Sequence, residues 1–150
     1  MSHFKLPSDL SYNRGLVEDP TAFAKERGVA SWLFLIGDEF ASMPGGISYA
    51  DVQKAVPQTA RVISDPPRVL NLELARQQVA ALDALPRPTV ITCRLGPRSS
   101  ATAYLYAGLK LGASYEEILA AAEEENAPFC ASEEYKEWVR LSLETLRDDS

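Results

Sequence analysis

The sequence predicts an α/β fold, a three-layer sandwich in which helices cover both faces of a small, mainly parallel sheet. Two observations carry this prediction. Short apolar runs alternate with segments of helical periodicity, which is typical of a parallel sheet whose connections are helices. Only three or four such runs are visible, and the segments after Gly112 all have a helical pattern. We therefore expect a small sheet and a helical C-terminal half.

The chain divides into an N-terminal extension, residues 1–30, and an α/β domain, residues 31–150. The extension is polar and contains one predicted helix, Pro20–Arg27. Asp19 can cap this helix, and proline suits its first turn. Together with the acidic surface, the extension is a candidate contact for a protein partner.

Three apolar runs of the domain are predicted strands. Trp32–Ile36 is continuously apolar and ends at Gly37, which indicates a buried strand. Ala60–Ser64 is the second, and it is followed by Asp65 and two prolines that break it. Thr89–Thr92 is rich in β-branched residues, which favour strands.

Capping residues mark the predicted helices of the domain. Ser48 and Asn71 each stand before a helical run, and Ser114 with Glu117 three residues later forms a capping box. The helices predicted from these caps and from the apolar periodicity are Tyr49–Ala55, Leu72–Leu85, Ser99–Leu111, Tyr115–Glu125 and Glu133–Leu146.

Composition excludes several functional classes. With 15 Lys and Arg against 21 Asp and Glu, the formal net charge is −6, so nothing supplies a basic surface for nucleic acid or an anionic membrane. No apolar run approaches the ~18 residues of a membrane span. The first residues lack the apolar core of a secretory signal. We expect a cytoplasmic protein without nucleic-acid or membrane partners.

The thiol and imidazole content is small. The cysteines are Cys93 and Cys130, and the only histidine is His3. A cytoplasmic chain usually keeps both thiols reduced. One histidine near the N-terminus makes a zinc site or a Cys–His protease pair a poor fit. No metal and no cofactor are therefore expected.

The informative stretch for chemistry begins where the third strand ends. Cys93 follows that strand, Gly96 lies in a short loop, and Arg98 lies at the start of the next helix. Ligands of open α/β sheets bind beyond the carboxyl ends of the strands. Backbone N–H groups of such a loop and a helix N-terminus both attract anions. The pattern predicts a reactive thiolate at Cys93 beside an oxyanion site.

The loop offers several groups that could hold an oxyanion. The guanidinium of Arg98 has the planar fork that suits phosphate, whereas the neighbouring Arg94 can equally point outward. Ser99 or Ser100 could cap the helix or donate a hydrogen bond to the sulfur. The candidate oxyanion-binding residues are Arg94, Leu95, Gly96, Arg98, Ser99 and Ser100.

The run Cys93–Ser99 has the form C-R-x-G-x-R-S. It resembles the active loop shared by rhodaneses and by the beta-lactamase-hydrolase-like protein phosphatases, a bacterial branch of the tyrosine and dual-specificity phosphatase fold. The following segment, Leu111–Ala122, resembles the helix pair after a phosphatase loop, where a rhodanese would bring a further strand. The resemblance therefore implies a tyrosine-phosphatase-like fold and favours a phosphatase-like hydrolase.

The same resemblance implies roles for individual residues. Cys93 would attack the phosphorus of a phosphate ester and form a cysteinyl-phosphate intermediate, and Arg98 would hold the phosphoryl oxygens. Asp65 is the candidate general acid that protonates the leaving group. An aspartate before two prolines is also a common turn residue, so both interpretations of Asp65 stay open.

Two departures from the phosphatase pattern leave other functions open. Only four residues separate Cys93 from Arg98, one fewer than is usual in tyrosine phosphatases, and Thr92 stands where those enzymes have histidine. The smaller loop suits a rhodanese-like sulfurtransferase with a persulfide on Cys93. Pro97 removes one N–H donor from the loop. That loss, with the short segment after Asp65, suits a non-catalytic oxyanion-binding or regulatory module.

Overall fold

Four parallel strands form the sheet, in the order β1-β4-β2-β3. The computed structural model describes residues 4–148, so His3 lies outside the described residues. The strands are Leu10–Tyr12 (β1), Ser31–Ile36 (β2), Gln58–Asp65 (β3) and Thr89–Thr92 (β4). All the recorded pairings are parallel, as the alternation of strands and helices predicted.

Six α-helices connect and follow these strands within the described residues. They are Pro20–Arg27 (α1), Tyr49–Ala55 (α2), Leu72–Ala84 (α3), Pro97–Leu111 (α4), Tyr115–Glu124 (α5) and Glu133–Asp148 (α6). Short 3-10 helices add Asp38–Phe40 and Pro128–Ala131. Within residues 4–148, no helix has the length and apolar character that crossing a bilayer requires.

Each face of the sheet carries its own core. On one face Leu33, Leu35 and Ile91 pack with residues of α3 to α6. On the other face Trp32 and Phe34 pack with residues of α1 and α2. All six residues of β2 are buried because helices cover both faces of the sheet. The predicted three-layer sandwich with a helical C-terminal half is confirmed.

The structure adds a strand that the sequence analysis did not predict. β1 lies within residues 1–30 and pairs with β4, with Leu10 opposite Thr89 and Tyr12 opposite Ile91. Residues that were expected to form a separate extension thus supply an edge strand of the sheet. A three-residue strand is too short to show an alternating pattern. Its pairing brings the segment after β1 to the point where β4 ends.

Most element boundaries lie within two residues of those predicted. The side chain of Asp19 accepts a hydrogen bond from the backbone N–H of Ala22 at 3.1 Å, which caps α1 as expected. Ser114 and Glu117 form the predicted capping box of α5. α4 begins at Pro97, earlier than predicted, because the first helical position needs no N–H. The helix therefore starts inside the loop that carries the candidate site.

Candidate active site

The sulfur of Cys93 lies at the carboxyl edge of the sheet, directly after β4. The residue is only 5% exposed. Its Sγ accepts hydrogen bonds from the backbone N–H groups of Gly96 at 3.1 Å and Ser99 at 3.4 Å. The thiol donates to the hydroxyl of Ser99 at 3.5 Å. N–H groups that converge in this way favour negative charge on the sulfur or on a ligand beside it.

The side chain that fixes this loop is Asn13, which the sequence analysis did not single out. Its Oδ1 accepts from the backbone N–H of Cys93 at 3.1 Å and from the hydroxyl of Ser99 at 2.7 Å. Its Nδ2 donates to the carbonyls of Cys93 and Gly15, both at 2.8 Å. Asn13 is 1% exposed, so these bonds are made away from water. It reaches the loop because β1 lies beside β4.

Gly96 has the backbone conformation that the loop requires. Its φ is +120°, in the region that residues with a Cβ rarely adopt. A Cβ at this position would lie 2.6 Å from the carbonyl oxygen of Asn13 and 3.1 Å from Cγ of Pro128. The loop can therefore close around the sulfur only with glycine here.

Arg98 and Asp65 meet beside the loop. Arg98 lies in the first turn of α4, and its Nη2 is 3.4 Å from Oδ1 of Asp65 at the end of β3. Arg98 is 8% exposed, and its buried Nε and Nη2 have no hydrogen-bond partner among residues 4–148. Buried donors without an acceptor are costly and rare, so this guanidinium has the capacity to bind a ligand. The structure brings both predicted residues to the edge that holds Cys93.

Tyr135 of α6 packs against Arg98, which extends the site to the C-terminal helix. The Cζ atom of Arg98 lies 5.5 Å from the centre of the Tyr135 ring, and that of Arg68 lies 6.0 Å from it. Burial raises the pKa of Tyr135, while the positive charges of the two arginines oppose that rise. The sequence alone assigned no role to the tyrosines. This one is buried but also supports the guanidinium that faces the loop.

We expect the ring of Tyr135, rather than its hydroxyl, to hold Arg98 in place. Tyr135→Phe keeps the cation–π contact, so the vanadate concentration that half-protects Cys93 should stay within about twofold of the wild-type value. Tyr135→Leu removes the contact and should raise that concentration roughly tenfold. The measurement is the vanadate concentration that half-protects Cys93 from alkylation, with thermal unfolding to check the fold. A Phe variant as impaired as the Leu variant would contradict this role of the ring.

The remaining predicted residues occupy different positions. Leu95 is 51% exposed. The Ser100 hydroxyl donates to the carbonyl of Pro97 and accepts from the backbone N–H of Phe129, both at 3.1 Å. It therefore anchors the second 3-10 helix, and neither of its bonds is to the sulfur. Consecutive helical residues point about 100° apart, so Ser99 and Ser100 cannot both face the sulfur.

The arrangement does not include a metal centre in the part of the chain that is described. No group of three or more His, Cys, Asp or Glu side chains among residues 4–148 is placed to hold a metal ion. The charged side chains near Cys93 are instead those of Arg94 in the loop, Arg98 at the start of α4 and Asp65 at the end of β3. Such a set can bind an oxyanion beside a sulfur nucleophile.

Several solved structures share this fold. PTPMT1 has a TM-score of 0.67 at 16% identity, over 97% of this chain and 96% of its own. SIW14 of S. cerevisiae, a PP-IP phosphatase, has 0.61 at 12%, over 93% and 87%. TpbA of P. aeruginosa has 0.59 at 20%, over 94% and 86%. No family model and no curated protein matches the chain. At these identities the likeness confirms the predicted phosphatase-like α/β fold and no more.

The two cysteines should differ sharply in alkylation at neutral pH. Burial raises the pKa of the Cys130 thiol, and the nearby Glu123 carboxylate raises it further, whereas Lys136 opposes the rise. A smaller fraction of Cys130 than of an ordinary thiol is therefore ionised to the reactive thiolate, so Cys130 should react slowly. Cys93 has two N–H donors on its sulfur and should be labelled first. Peptide mass spectrometry after iodoacetamide measures both rates.

Oxyanions provide the control for that experiment. Phosphate or vanadate should protect Cys93 by occupying the loop and should leave the rate at Cys130 unchanged. Equal labelling of the two cysteines, with no protection by any oxyanion, would show that Cys93 is a packing residue of the core.

Proposed function

We propose that the protein is a cysteine-dependent phosphatase-like hydrolase that cleaves a phosphate ester through a cysteinyl-phosphate intermediate. The observation that carries the proposal is the sulfur of Cys93, which receives two backbone N–H bonds beside the partly unpartnered guanidinium of Arg98. A nucleophile and donors for the oxygens of its target therefore lie together at one edge of the sheet.

In the first step the sulfur of Cys93 attacks phosphorus in line with the ester bond. The S–P bond forms as the P–O bond breaks, and Asp65 gives its proton to the leaving oxygen. The loop amides and Arg98 hold the remaining phosphoryl oxygens, whose charge they stabilise. A bound oxyanion competes with Asp65 for Arg98, which frees the carboxyl group to turn towards the leaving group.

In the second step a water attacks the phosphorus of the intermediate. The S–P bond breaks, inorganic phosphate leaves, and the proton of the water returns to Asp65, so the cycle is balanced without a cofactor. The backbone N–H groups of Gly96 and Ser99, which lie 3.1 Å and 3.4 Å from the sulfur, stabilise the departing thiolate. Asn13 accepts from the hydroxyl of Ser99 at 2.7 Å and from the N–H of Cys93 at 3.1 Å, and thus positions the loop.

The comparisons support this choice through their ligands. PTPMT1 has been crystallised with PI(5)P and TpbA with pTyr, and SIW14 is a phosphatase for PP-IP. These phosphorylated ligands differ widely in their organic part. They favour phosphate recognition on this fold but do not select a substrate for this chain.

The test is Cys93-dependent turnover. Purified protein should release p-nitrophenol from p-nitrophenyl phosphate, and Cys93→Ser should abolish the activity while circular dichroism stays unchanged. A panel of phosphopeptides and phosphorylated small molecules extends the assay. Activity that survives in Cys93→Ser, or none with any substrate, would refute the proposal. Oxyanion binding without Cys93-dependent turnover would instead identify a non-catalytic binding module.

Sulfur transfer is the second candidate, and the short loop favours it. Four residues separate Cys93 from Arg98. The backbone N–H groups of Gly96 and Ser99 donate their hydrogen bonds to the sulfur itself. That arrangement suits a small charged sulfur species on Cys93. Incubation with thiosulfate and cyanide, with thiocyanate measured, separates the two reactions. Thiocyanate formation that is lost in Cys93→Ser, without phosphatase activity, would place sulfur transfer first.

A further inference from the structure

The arginine next to the nucleophile has no acceptor. The Nε of Arg94 is buried without a hydrogen-bond partner, and its side chain enters no hydrogen bond or ion pair with any residue from 4 to 148. Its recorded contact is the ring of Phe40, whose centre lies 5.8 Å from Cζ. By contrast, Arg61 and Arg87 bond backbone carbonyls at 3.1 Å or less.

Arg94 and Arg98 flank Cys93 from the two faces of the sheet. Phe40 packs with the core that lies under α1 and α2, and Arg94 contacts it on that side. Tyr135, which supports Arg98, belongs to the core under α3 to α6. Cys93 and Arg94 also line the same small cavity. The guanidiniums of Arg94 and Arg98 are therefore supported by aromatic rings from opposite faces of the sheet.

The charge of Arg94 is not offset by the protein. Arg98 has an acidic partner in the protein, since Oδ1 of Asp65 lies 3.4 Å from its Nη2. Asp38, two residues before Phe40, is already paired with Arg61 at 2.7 Å. No carboxylate of the described segment lies within ion-pair distance of Arg94. The uncompensated positive charge of the site is thus at Arg94, in a chain whose formal net charge is −6.

We infer that Arg94 binds a second anionic group of the substrate. The substrate class is then a phosphate ester with another carboxylate or phosphate close to the reacting phosphate. The Phe40 ring supports the guanidinium, and the half-buried position strengthens its charge-assisted hydrogen bonds. This inference rests on the proposed function for Cys93 and Arg98.

A matched pair of small molecules tests it. Glycerol 3-phosphate and 3-phosphoglycerate differ only by a hydroxymethyl group in place of a carboxylate. The readout is the concentration that half-protects Cys93 from iodoacetamide at constant ionic strength, which needs no turnover. For wild-type protein, the half-protecting concentration of 3-phosphoglycerate should be about tenfold lower than that of glycerol 3-phosphate, which is the effect of one charge-assisted hydrogen bond. In Arg94→Gln the ratio of these two concentrations should fall to about one.

Arg68→Gln is the matched control. Arg68 is an exposed arginine near the site that pairs with Glu134 at 3.1 Å. The Arg68→Gln variant should keep the wild-type ratio of the two half-protecting concentrations, because it removes one positive charge from the same region and leaves Arg94 in place. A wild-type ratio of one, a ratio that persists in Arg94→Gln, or a ratio lost in Arg68→Gln would each overturn the inference. Failure of the proposed function is a different result, in which neither compound protects Cys93.

Discussion

Asn13→Ala should lower kcat/KM for p-nitrophenyl phosphate by about a hundredfold, although the residue touches no reacting atom. The variant removes the acceptor for the Cys93 N–H and the Ser99 hydroxyl, and the donor for three backbone carbonyls. Displacement of a catalytic group by about 1 Å typically costs this much. The buried groups left without partners should also lower the free energy of unfolding by about 2–4 kcal/mol.

Asn71→Ala separates lost positioning from lost stability. Oδ1 of Asn71 accepts from the backbone N–H of Leu74 at 2.8 Å and caps α3, away from the loop. Its loss should cost about 1 kcal/mol of stability. At a temperature where both variants are folded, Asn71→Ala should then have near wild-type activity, whereas Asn13→Ala should not. If Asn13→Ala also keeps wild-type activity there, Asn13 does not position the loop.

The parts of the site that the sequence predicted are local in the chain. Cys93, Gly96 and Arg98 lie within six consecutive residues, and the strand before them and the helix after them fix their placement. Helix caps are equally local, as the capping box of Ser48 and Asp51 shows, because donor and acceptor are three residues apart. Patterns of this length can be recognised in one sequence.

The parts that were missed depend on pairing between distant segments. Asn13 is 80 residues from Cys93, and in sequence it stands before Arg14 and Gly15, which is typical of a turn. Its role depends on β1 beside β4, and β1 is too short to predict. Tyr135 is similar, since the packing of α6 on α4 decides which arginine its ring meets. No spacing rule in the sequence relates such residues.

Asp65→Asn should slow the hydrolysis of esters with poor leaving groups far more than that of p-nitrophenyl phosphate. General acid catalysis contributes about 10²–10⁴-fold, but only where the leaving oxygen needs a proton. Nitrophenolate leaves readily as an anion, so its rate should fall less than about tenfold. Glycerol 3-phosphate, whose alkoxide is a poor leaving group, should react at least about a hundredfold more slowly. The measurement is kcat for both substrates in wild type and variant.

The leaving-group dependence distinguishes an acid from a residue that only holds Arg98. The amide of Asp65→Asn keeps an oxygen that can accept from Arg98, so oxyanion binding should change little. The side chain of Asp65 is 24% exposed, so a leaving group can reach it from solvent. Asp38→Asn, which alters a carboxylate paired with Arg61, should slow neither substrate preferentially. Equal slowing of both esters by Asp65→Asn, with a raised KM, would assign Asp65 to holding Arg98 and leave the general acid to be sought elsewhere.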